Sequence, residues 1–555
     1  MRSLGDTDDA MRLVEARALL HGRAWGDLIE PRLAPPAGLA VHWSRLVDAP
    51  IALMLGFFSL IFGSAWGETI TRALWPVSLF VPTAWLWIKS AQKMGGEIAM
   101  WAAAAIAPLC FVVWDQFAPG RLDHHNVQLL LMSAMMFLAL EAERPRNAAI
   151  MGGACALSIA VGFETLPVIV WAAGLIALRF VWSKNNSPAA YAFGLALAGV
   201  AGLAFLVQTP PAWWLRTGCD ALAFNGVAGA ALSGLALAGV ARLSPNGVAL
   251  RLAGAGVAGA LGVAVFIALH PSCLHGPYAD LDPRLNAIWL DRVGEARTFM
   301  QVLKSQPVIG IAGGLLPLGA LIAACVSIAR GKREPGFVAL TVLLALTAVV
   351  GLIESRGMVL ATAAAIPLAA AQLAQIKKVN GVRPMIAGLA LGLFTSPSVA
   401  FLLFGALTPS DVQAREKHAV LDQDKCFETG AFAAMNRLTP GVVFADLDAG
   451  PHILAHTAHA AASAPYHRLG QPIYDAMTVF YGPAAKAEPV IARAGADYIA
   501  LCRNGVFAQE LQHGSFAEAL LRGPIPAWLM PLDSRDGDYA LFKVQKPGGV
   551  IASLK

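Results

Sequence analysis

The sequence predicts a polytopic α-helical membrane protein carrying a soluble α/β domain at its C-terminal end. Three observations predict it. Of 555 residues, 57% are hydrophobic and only 14% are charged, far from the balance of soluble globular chains. Apolar stretches approaching the roughly 20 residues that cross a bilayer recur over the first four hundred positions. From about Pro409 the polarity becomes ordinary and stays so to the end of the chain.

Residues 1–67 read as a first outer loop with amphipathic and interfacial helices. The loop opens with the acidic phrase Gly5-Asp6-Thr7-Asp8-Asp9. Its apolar stretch 50–66 follows His42-Trp43-Ser44-Arg45, contains Pro50, and meets no Lys or Arg until Arg72. Such a segment reads as interfacial or re-entrant. Residues 68–408 read as the transmembrane core. Its spans fall near 70–88, 98–114, 127–141, 148–162, 165–181, 189–207, 220–240, 251–269, 308–329, 337–353, 358–376 and 384–407.

Positive residues cluster in alternate loops, as the positive-inside rule expects. The inner set is Lys89/Lys93, Arg144/Arg146, Arg179/Lys184, Arg242/Arg251, Arg330/Lys332/Arg333 and Lys377/Lys378/Arg383. The outer set holds Asp123-His124-His125, Glu164, the loop 270–306, Glu354-Ser355-Arg356 and the C-terminal domain. Twelve spans leave both chain ends outside. A further span before residue 1 would account for a polar, acidic start without a signal peptide.

Residues 409–555 read as a periplasmic α/β domain. Strands are predicted at 442–447, 498–501 and 539–544, and helices at 485–494 and 516–521. The net charge of +5 is small and spread over loops, so no nucleic-acid partner is expected. The seven cysteines show no CxxC spacing. Cys219 and Cys273 fall in outer loops, and Cys426 and Cys502 in the soluble domain. Each pair reads equally as a disulfide of an oxidising compartment or as separate thiols.

The polar phrase Gly120-Arg121-Leu122-Asp123-His124-His125 at a membrane boundary marks a functional site, because spanning does not need such groups and burying them is costly. Asp6, Asp123, His125, Glu295 and Arg356 share the outer face in this topology.

These residues resemble the catalytic-subunit family of oligosaccharyltransferases, within the GT-C superfamily of polyprenyl-linked sugar transferases. The family's first outer loop carries an Asp followed six residues later by an Arg, the spacing of Asp6 and Arg12. Its archaeal members carry Asp-His-His, as at Asp123-His124-His125. A Val-x-Glu motif on the long outer loop is matched by Val293-Gly294-Glu295, and an Arg before a late span by Arg356. The family's thirteen spans would be matched by one further helix at the start. Its Trp-Trp-Asp motif is absent after residue 408; the one Trp-Trp is Trp213-Trp214. A different acceptor is therefore implied.

The chemistry follows. Oxygen and nitrogen ligands from Asp6, Asp123 and His125 suit Mn²⁺ or Mg²⁺, which would neutralise a leaving phosphate and orient the sugar. Arg356 offers a planar fork to that phosphate. Asp6 is the candidate general base and Glu295 would orient the acceptor or complete the metal shell. Asp8, Asp9, Arg12 and His124 would support these groups. Asp6, Asp8 and Asp9 also read as acids capping a helix, and Arg356 as an interfacial partner of Glu354. Glu164 reads as a short-loop residue. His452, His456, His459 and His467 read as structural or acceptor-contacting, and Tyr466, His467 and Arg468 as facing the cleft.

The reading is a metal-dependent, inverting glycosyltransferase of a bacterial inner membrane. It would move a sugar or glycan from a polyprenyl-phosphate or polyprenyl-diphosphate donor to a periplasmic glycan, lipid or protein acceptor. A ligase acting on lipid or polysaccharide shares that chemistry. A secondary transporter is disfavoured by the absence of internal repeats and by polar motifs lying at span boundaries.

Overall fold

The computed structural model describes residues 4, 6–376, 392, 394–409, 425–509, 511–532 and 537–545. Most of predicted span 384–407, with Lys377, Lys378 and Arg383, lies outside the described residues.

The chain opens with helix α1 (Thr7–Leu20), a short ribbon of β1 (Ile29–Glu30) and β2 (Leu39–Ala40), and helix α2 (Arg45–Phe62). Helix α3 (Ser64–Ile106) runs through two predicted spans. Gly96, at φ 75°, breaks it and turns the chain back. The short α4 (Phe111–Trp114) leads to the loop 118–124. There follow α5 (His125–Ala139), α6 (Pro145–Val161), α7 (Leu166–Trp182), α8 (Ser187–Gln208), α9 (Phe224–Leu243) and α10 (Val248–Leu269). A long loop with short helices α11 (Leu285–Ile288) and α12 (Phe299–Ser305) precedes α13 (Pro307–Ala329), α14 (Pro335–Ile353) and α15 (Gly357–Ile376). Pro145, Pro307 and Pro335 each open a helix, where the missing N–H costs nothing.

Among the described residues, seven helices are long and apolar enough to cross a membrane, or eight with the bent pair that starts at Ser64. Twelve spans were predicted. The count includes α2, which was not among the twelve. The difference lies in the shorter helices α5, α6 and α7, with 15, 17 and 17 residues, in α3, which takes up two predicted spans, and in 384–407, most of which lies outside the described residues. Helix α2 meets the length and composition of a span, yet buries Arg45 and Asp48 against α1 and exposes Leu53, Phe57 and Leu60.

Small residues let the bundle close. A Cβ added to Gly194 on α8 would lie 2.3 Å from the carbonyl of Gly234 on α9. The reciprocal contact is as tight, so the two backbones touch, as membrane helices prefer. The two ends of the bundle are distinct. At one end the loops predicted as inner meet, with Lys93 on Glu141 at 2.9 Å, Lys184 on Asn246 at 2.7 Å and Arg251 on the Val181 carbonyl at 3.0 Å. At the other, Thr217 meets His270 at 2.8 Å and Glu164 meets His124 at 3.2 Å.

The C-terminal domain holds a five-stranded sheet ordered β4-β3-β5-β7-β6, with β3 (Val442–Ala445), β4 (Ala460–Ala461), β5 (Tyr498–Cys502), β6 (Leu529–Pro531) and β7 (Tyr539–Val544). Strand β3 is parallel to both β4 and β5, and β7 is antiparallel to β5. Helices Ala487–Arg493 and Phe516–Arg522 fall on the predicted segments. Both cysteine pairs are disulfides, Cys219–Cys273 and Cys426–Cys502.

The first outer segment locks this domain onto the bundle. Ala461 donates its N–H to the Arg32 carbonyl at 2.9 Å and accepts that of Ala34 at 2.8 Å, so residues 32–34 extend the sheet beyond β4. Arg32 reaches the Leu454 carbonyl at 3.1 Å. One apolar core joins Met11, Ile51, Leu285, Phe480 and Ile499, from both outer loops and the soluble domain.

Candidate functional site

A cavity of about 910 Å³ opens between one end of the bundle, the N-terminal segment, the 270–306 loop and the soluble domain. Two turns of backbone build its acidic end. Asp6 caps α1: its Oδ1 accepts the N–H groups of Asp8 and Asp9, each at 3.0 Å, while Asp9 Oδ2 accepts the Asp6 N–H at 3.0 Å. This capping box, with acids in the first turn, is why α1 begins here. The second turn is the 118–124 loop. Gly120 takes φ 108°, a conformation that only glycine adopts without strain, and donates its N–H to the Arg72 carbonyl at 2.8 Å.

The two turns are joined by Asp9. Its Oδ1 accepts the N–H of Leu122 at 2.6 Å and that of Asp123 at 2.9 Å. Arg121 pairs with Asp6 and, at 3.1 Å, with Asp9. Asp9 is fully buried and does not line the cavity.

Asp123 is buried between two imidazoles. His124 Nδ1 lies 2.6 Å from its Oδ1, and His125 Nε2 lies 3.3 Å from its Oδ2. Burial opposes its ionisation, but the charges of His124 and His125 outweigh burial and hold the carboxyl well below the usual range. His124 continues to Glu164, with Nε2 at 3.2 Å from Oε1. Burial opposes a charged His124 too, yet Asp123 and Glu164 raise it to about 10. Glu164 also accepts Gln128 Nε2 at 2.5 Å and lines the cavity. It is thus part of the site's wall, more than the short-loop residue the sequence suggested.

His125 also faces Glu295, 3.7 Å from Nε2 to Oε1. The Glu295 turn is pinned to the loop before α15, because Ser355 donates its N–H to the Arg297 carbonyl at 2.8 Å and its hydroxyl to the Gly294 carbonyl at 3.0 Å. Arg356 follows, paired with Glu354 at 3.0 Å and donating to Tyr278 Oη at 3.1 Å. Arg356 thus has the expected acidic partner, Glu354, and lines the cavity.

Asp8 differs from its neighbours. It lines the cavity, and among the described residues no hydrogen bond or ion pair engages its carboxylate. Burial, then the charges of Asp123, Asp6 and Glu295, push its carboxyl well above the usual range. Carboxylates therefore outnumber cations at this end. Asp6 lines the cavity as well, but both its oxygens are committed, to the helix cap and to Arg121.

Arg12 is not brought to the site. It is buried on Asp48 at 2.6 Å and lies 4.9 Å above the Trp43 ring, within a charge network that links Arg45 and Arg23 to Glu15. The turn of α1 that carries it faces α2. Its effect on the cavity runs through Trp43, which lines the cavity.

The soluble domain supplies the opposite wall. Tyr466 donates its hydroxyl to the Thr7 carbonyl at 3.0 Å. His467 Nε2 meets Asp220 Oδ2 at 2.6 Å, and Arg468 grips both oxygens of Asp220 at 2.8 and 2.9 Å. Tyr466 and His467 line the cavity and Arg468 supports them from behind. Asp220, Tyr278 and His42 also line it and went unnoticed in the sequence. The one available signal was Asp220 beside a loop cysteine, Cys219. The other histidines are structural. His452 stacks on Phe427 and His456 on Phe432, and His459 bonds the Gly441 N–H at 3.1 Å. Cys219, Cys273 and His270 also bring ligand atoms within 4.8 Å of one another, but the disulfide leaves no thiolate to bind a metal.

With this geometry in view, the resemblance to solved structures is informative. An archaeal oligosaccharyltransferase AglB from Archaeoglobus fulgidus, solved with an inhibitory peptide and a dolichol-phosphate, superposes with a TM-score of 0.60 at 13% identity, over 90% of this chain and 66% of that one. The fold is that of this archaeal oligosaccharyltransferase structure. The A. fulgidus oligosaccharyltransferase tethered to an acceptor peptide with an NVT sequon gives 0.59 at 14% identity, over 90% and 65%. The same enzyme with Zn and sulfate gives 0.54 at 13%, over 90% and 64%. This chain thus spans about two thirds of the length of these oligosaccharyltransferases. No protein-family model matches the chain, and no curated protein matches it in sequence.

Proposed function

We propose that the chain is an integral-membrane glycosyltransferase that moves a sugar or glycan from a polyprenyl-phosphate or polyprenyl-diphosphate donor to an acceptor, with inversion at the anomeric carbon. One observation carries this reading. On a GT-C fold, Asp8, His125, Glu295 and Arg356 line the same cavity, and Asp123 stands directly behind His125.

The residue types suit a hard divalent ion: Asp8 and Asp123 would offer oxygens and His125 a nitrogen, and the charges of Asp123, Asp6 and Glu295 that add to burial in pushing Asp8 up are what a cation would relieve. Among the described residues these ligand atoms do not all lie within 4.8 Å of one another, so a bound ion would draw them together. Asp6 stands beside them and would join by yielding Arg121. A bound Mn²⁺ or Mg²⁺ would supply Lewis-acid stabilisation of the leaving phosphate. Arg356, held by Glu354 and Tyr278, would orient the donor phosphate. Glu295 would orient the acceptor, since its turn is tied to the Arg356 loop.

The acceptor reading departs from the peptide-binding neighbours. The described and undescribed parts of 409–555 together hold a single tryptophan, Trp528, so no Trp-Trp-Asp can form there. A ligase acting on a glycan or lipid is favoured on that ground. The domain division at 67 and 408, the in-plane placement of α2 and the periplasmic orientation in a bacterial inner membrane belong to the same proposal.

The test is transfer from a polyprenyl-phosphate-linked sugar by the purified full chain. Asp123→Ala and Arg356→Ala should each abolish it, and EDTA should do so reversibly with Mn²⁺. Full transfer by Asp123→Ala would refute the donor site.

A further inference from the structure

Resting on that reading, we propose that His467, held by Asp220, is the general base that deprotonates a hydroxyl acceptor. A histidine with a carboxylate behind it is the arrangement that activates a weak oxygen nucleophile. The residues come from two distant segments. Asp220 lies on the loop between α8 and α9, which the Cys219–Cys273 disulfide fastens to the long outer loop. His467 lies on the soluble domain, between β4 and the helix Gly470–Tyr481.

The carboxylate of Asp220 accepts the proton on His467 Nε2 at 2.6 Å, which fixes that tautomer and leaves Nδ1 with the lone pair. Arg468 bonds both oxygens of Asp220 and donates to the Ala40 carbonyl at 3.0 Å, so the carboxylate cannot turn away. The charged and titratable groups packed on the His467 ring are Asp220, His42 at 5.0 Å and Tyr278 at 5.7 Å, centroid to centroid, with Arg468 behind Asp220. Tyr278 in turn touches Arg356. Through Tyr278, His467 is one ring away from the candidate phosphate-binding arginine, and both line the cavity.

The step balances without a further reagent. The acceptor O–H proton passes to His467 Nδ1, and the oxygen forms a bond to the anomeric carbon. The bond from that carbon to the phosphate oxygen breaks, and its electron pair leaves on the phosphate beside Arg356. The imidazolium, paired with Asp220, then releases its proton to solvent. A carboxamide nitrogen, whose lone pair is delocalised into its carbonyl, needs that conjugation broken and is not served by this base.

The test uses the full chain in lipid nanodiscs with a dodecaprenyl-phosphate-linked hexose. Octyl glucoside is the hydroxyl probe and an Asn-X-Thr peptide the carboxamide probe. Wild type should transfer to the glucoside, with a rate that falls at acid pH. His467→Gln should lower that rate by about 100-fold or more and remove the acid limb, while the affinity for dodecaprenyl phosphate is unchanged. Asp220→Asn should shift the limb. Imidazole should restore His467→Ala, which separates lost chemistry from lost folding. Wild-type rate and limb in His467→Gln, alongside a dead Asp123→Ala, would overturn the base while leaving the donor site standing. Transfer to the peptide but not the glucoside would overturn it as well. Full transfer by Asp123→Ala would overturn the donor site and this proposal together.

Discussion

Asp9 accepts the backbone N–H of Asp123 at 2.9 Å, joining two acidic phrases that lie 114 residues apart. The same carboxylate holds Leu122, Arg121 and the Asp6 N–H. It is the hinge pin of the acidic end of the cavity, although it does not face it.

Asp9→Ala should therefore destabilise the protein by on the order of 3 kcal/mol, because it strands the buried N–H groups of Leu122 and Asp123 and removes one of the two acids paired with Arg121. Thermal melting of the detergent-solubilised chain checks this. A melting curve like that of wild type would mean that the two turns hold each other by other contacts.

Asp6 and Asp8 should separate experimentally. Asp8→Asn is expected to raise the Mn²⁺ concentration for half-maximal transfer by about tenfold or more, since among the described residues its carboxylate, unlike that of Asp6, engages no hydrogen bond or ion pair. Asp6→Asn should act mainly through the cap and Arg121, lowering the melting temperature. The reverse pattern would return the ligand role to Asp6.

His452 carries a pH signature. Burial, then the charges of His456 and Arg72, lower it to about 3, and neither ring nitrogen has a partner. A folded pKa below the unfolded value means that stability is full above about pH 6.5 and falls as pH drops toward 3, because only the unfolded chain takes up the proton. Replacing the stacked imidazole by His452→Phe should flatten stability between pH 6 and pH 4, read from melting curves across that range.

The Cys219–Cys273 bridge closes a 54-residue separation and holds Asp220 near Tyr278. A double Cys→Ser variant should lose about 4 kcal/mol on chain-entropy grounds. Transfer should fall more than donor binding, because the loosened loops carry the acceptor side of the cavity.

The placement of α2 in the plane of the membrane is open to labelling. Cysteines introduced at His21, His275 and Ala458, all exposed, should react with an impermeant maleimide from one side of the membrane. Reaction of His21→Cys from the opposite side would make α2 a span.

Much of this was legible in the sequence. Asp123-His124-His125 stood out because polar residues there contradict their apolar surroundings, and the strands at 442, 498 and 539 stood out as short apolar runs with β-branched and aromatic residues. The side on which Asp6 falls needed the geometry of α2, whose composition alone fits a span. Arg12 had the right spacing and the wrong face, since one turn of helix directs it to Asp48. Asp220, Glu164 and Tyr278 carried no motif. They became site residues only when loops far apart in the chain were folded onto one cavity. The break between the predicted spans 70–88 and 98–114 falls at Gly96, inside helix α3.

The most direct measurement of the central claim is sugar release from a polyprenyl-phosphate-linked donor by purified Asp123→Ala, with and without Mn²⁺, beside wild type. The account predicts no transfer by the variant at any Mn²⁺ concentration, while the variant remains folded at the assay temperature. It also predicts that EDTA silences wild type until Mn²⁺ is restored. Wild-type transfer by Asp123→Ala, or full activity in EDTA, would contradict it.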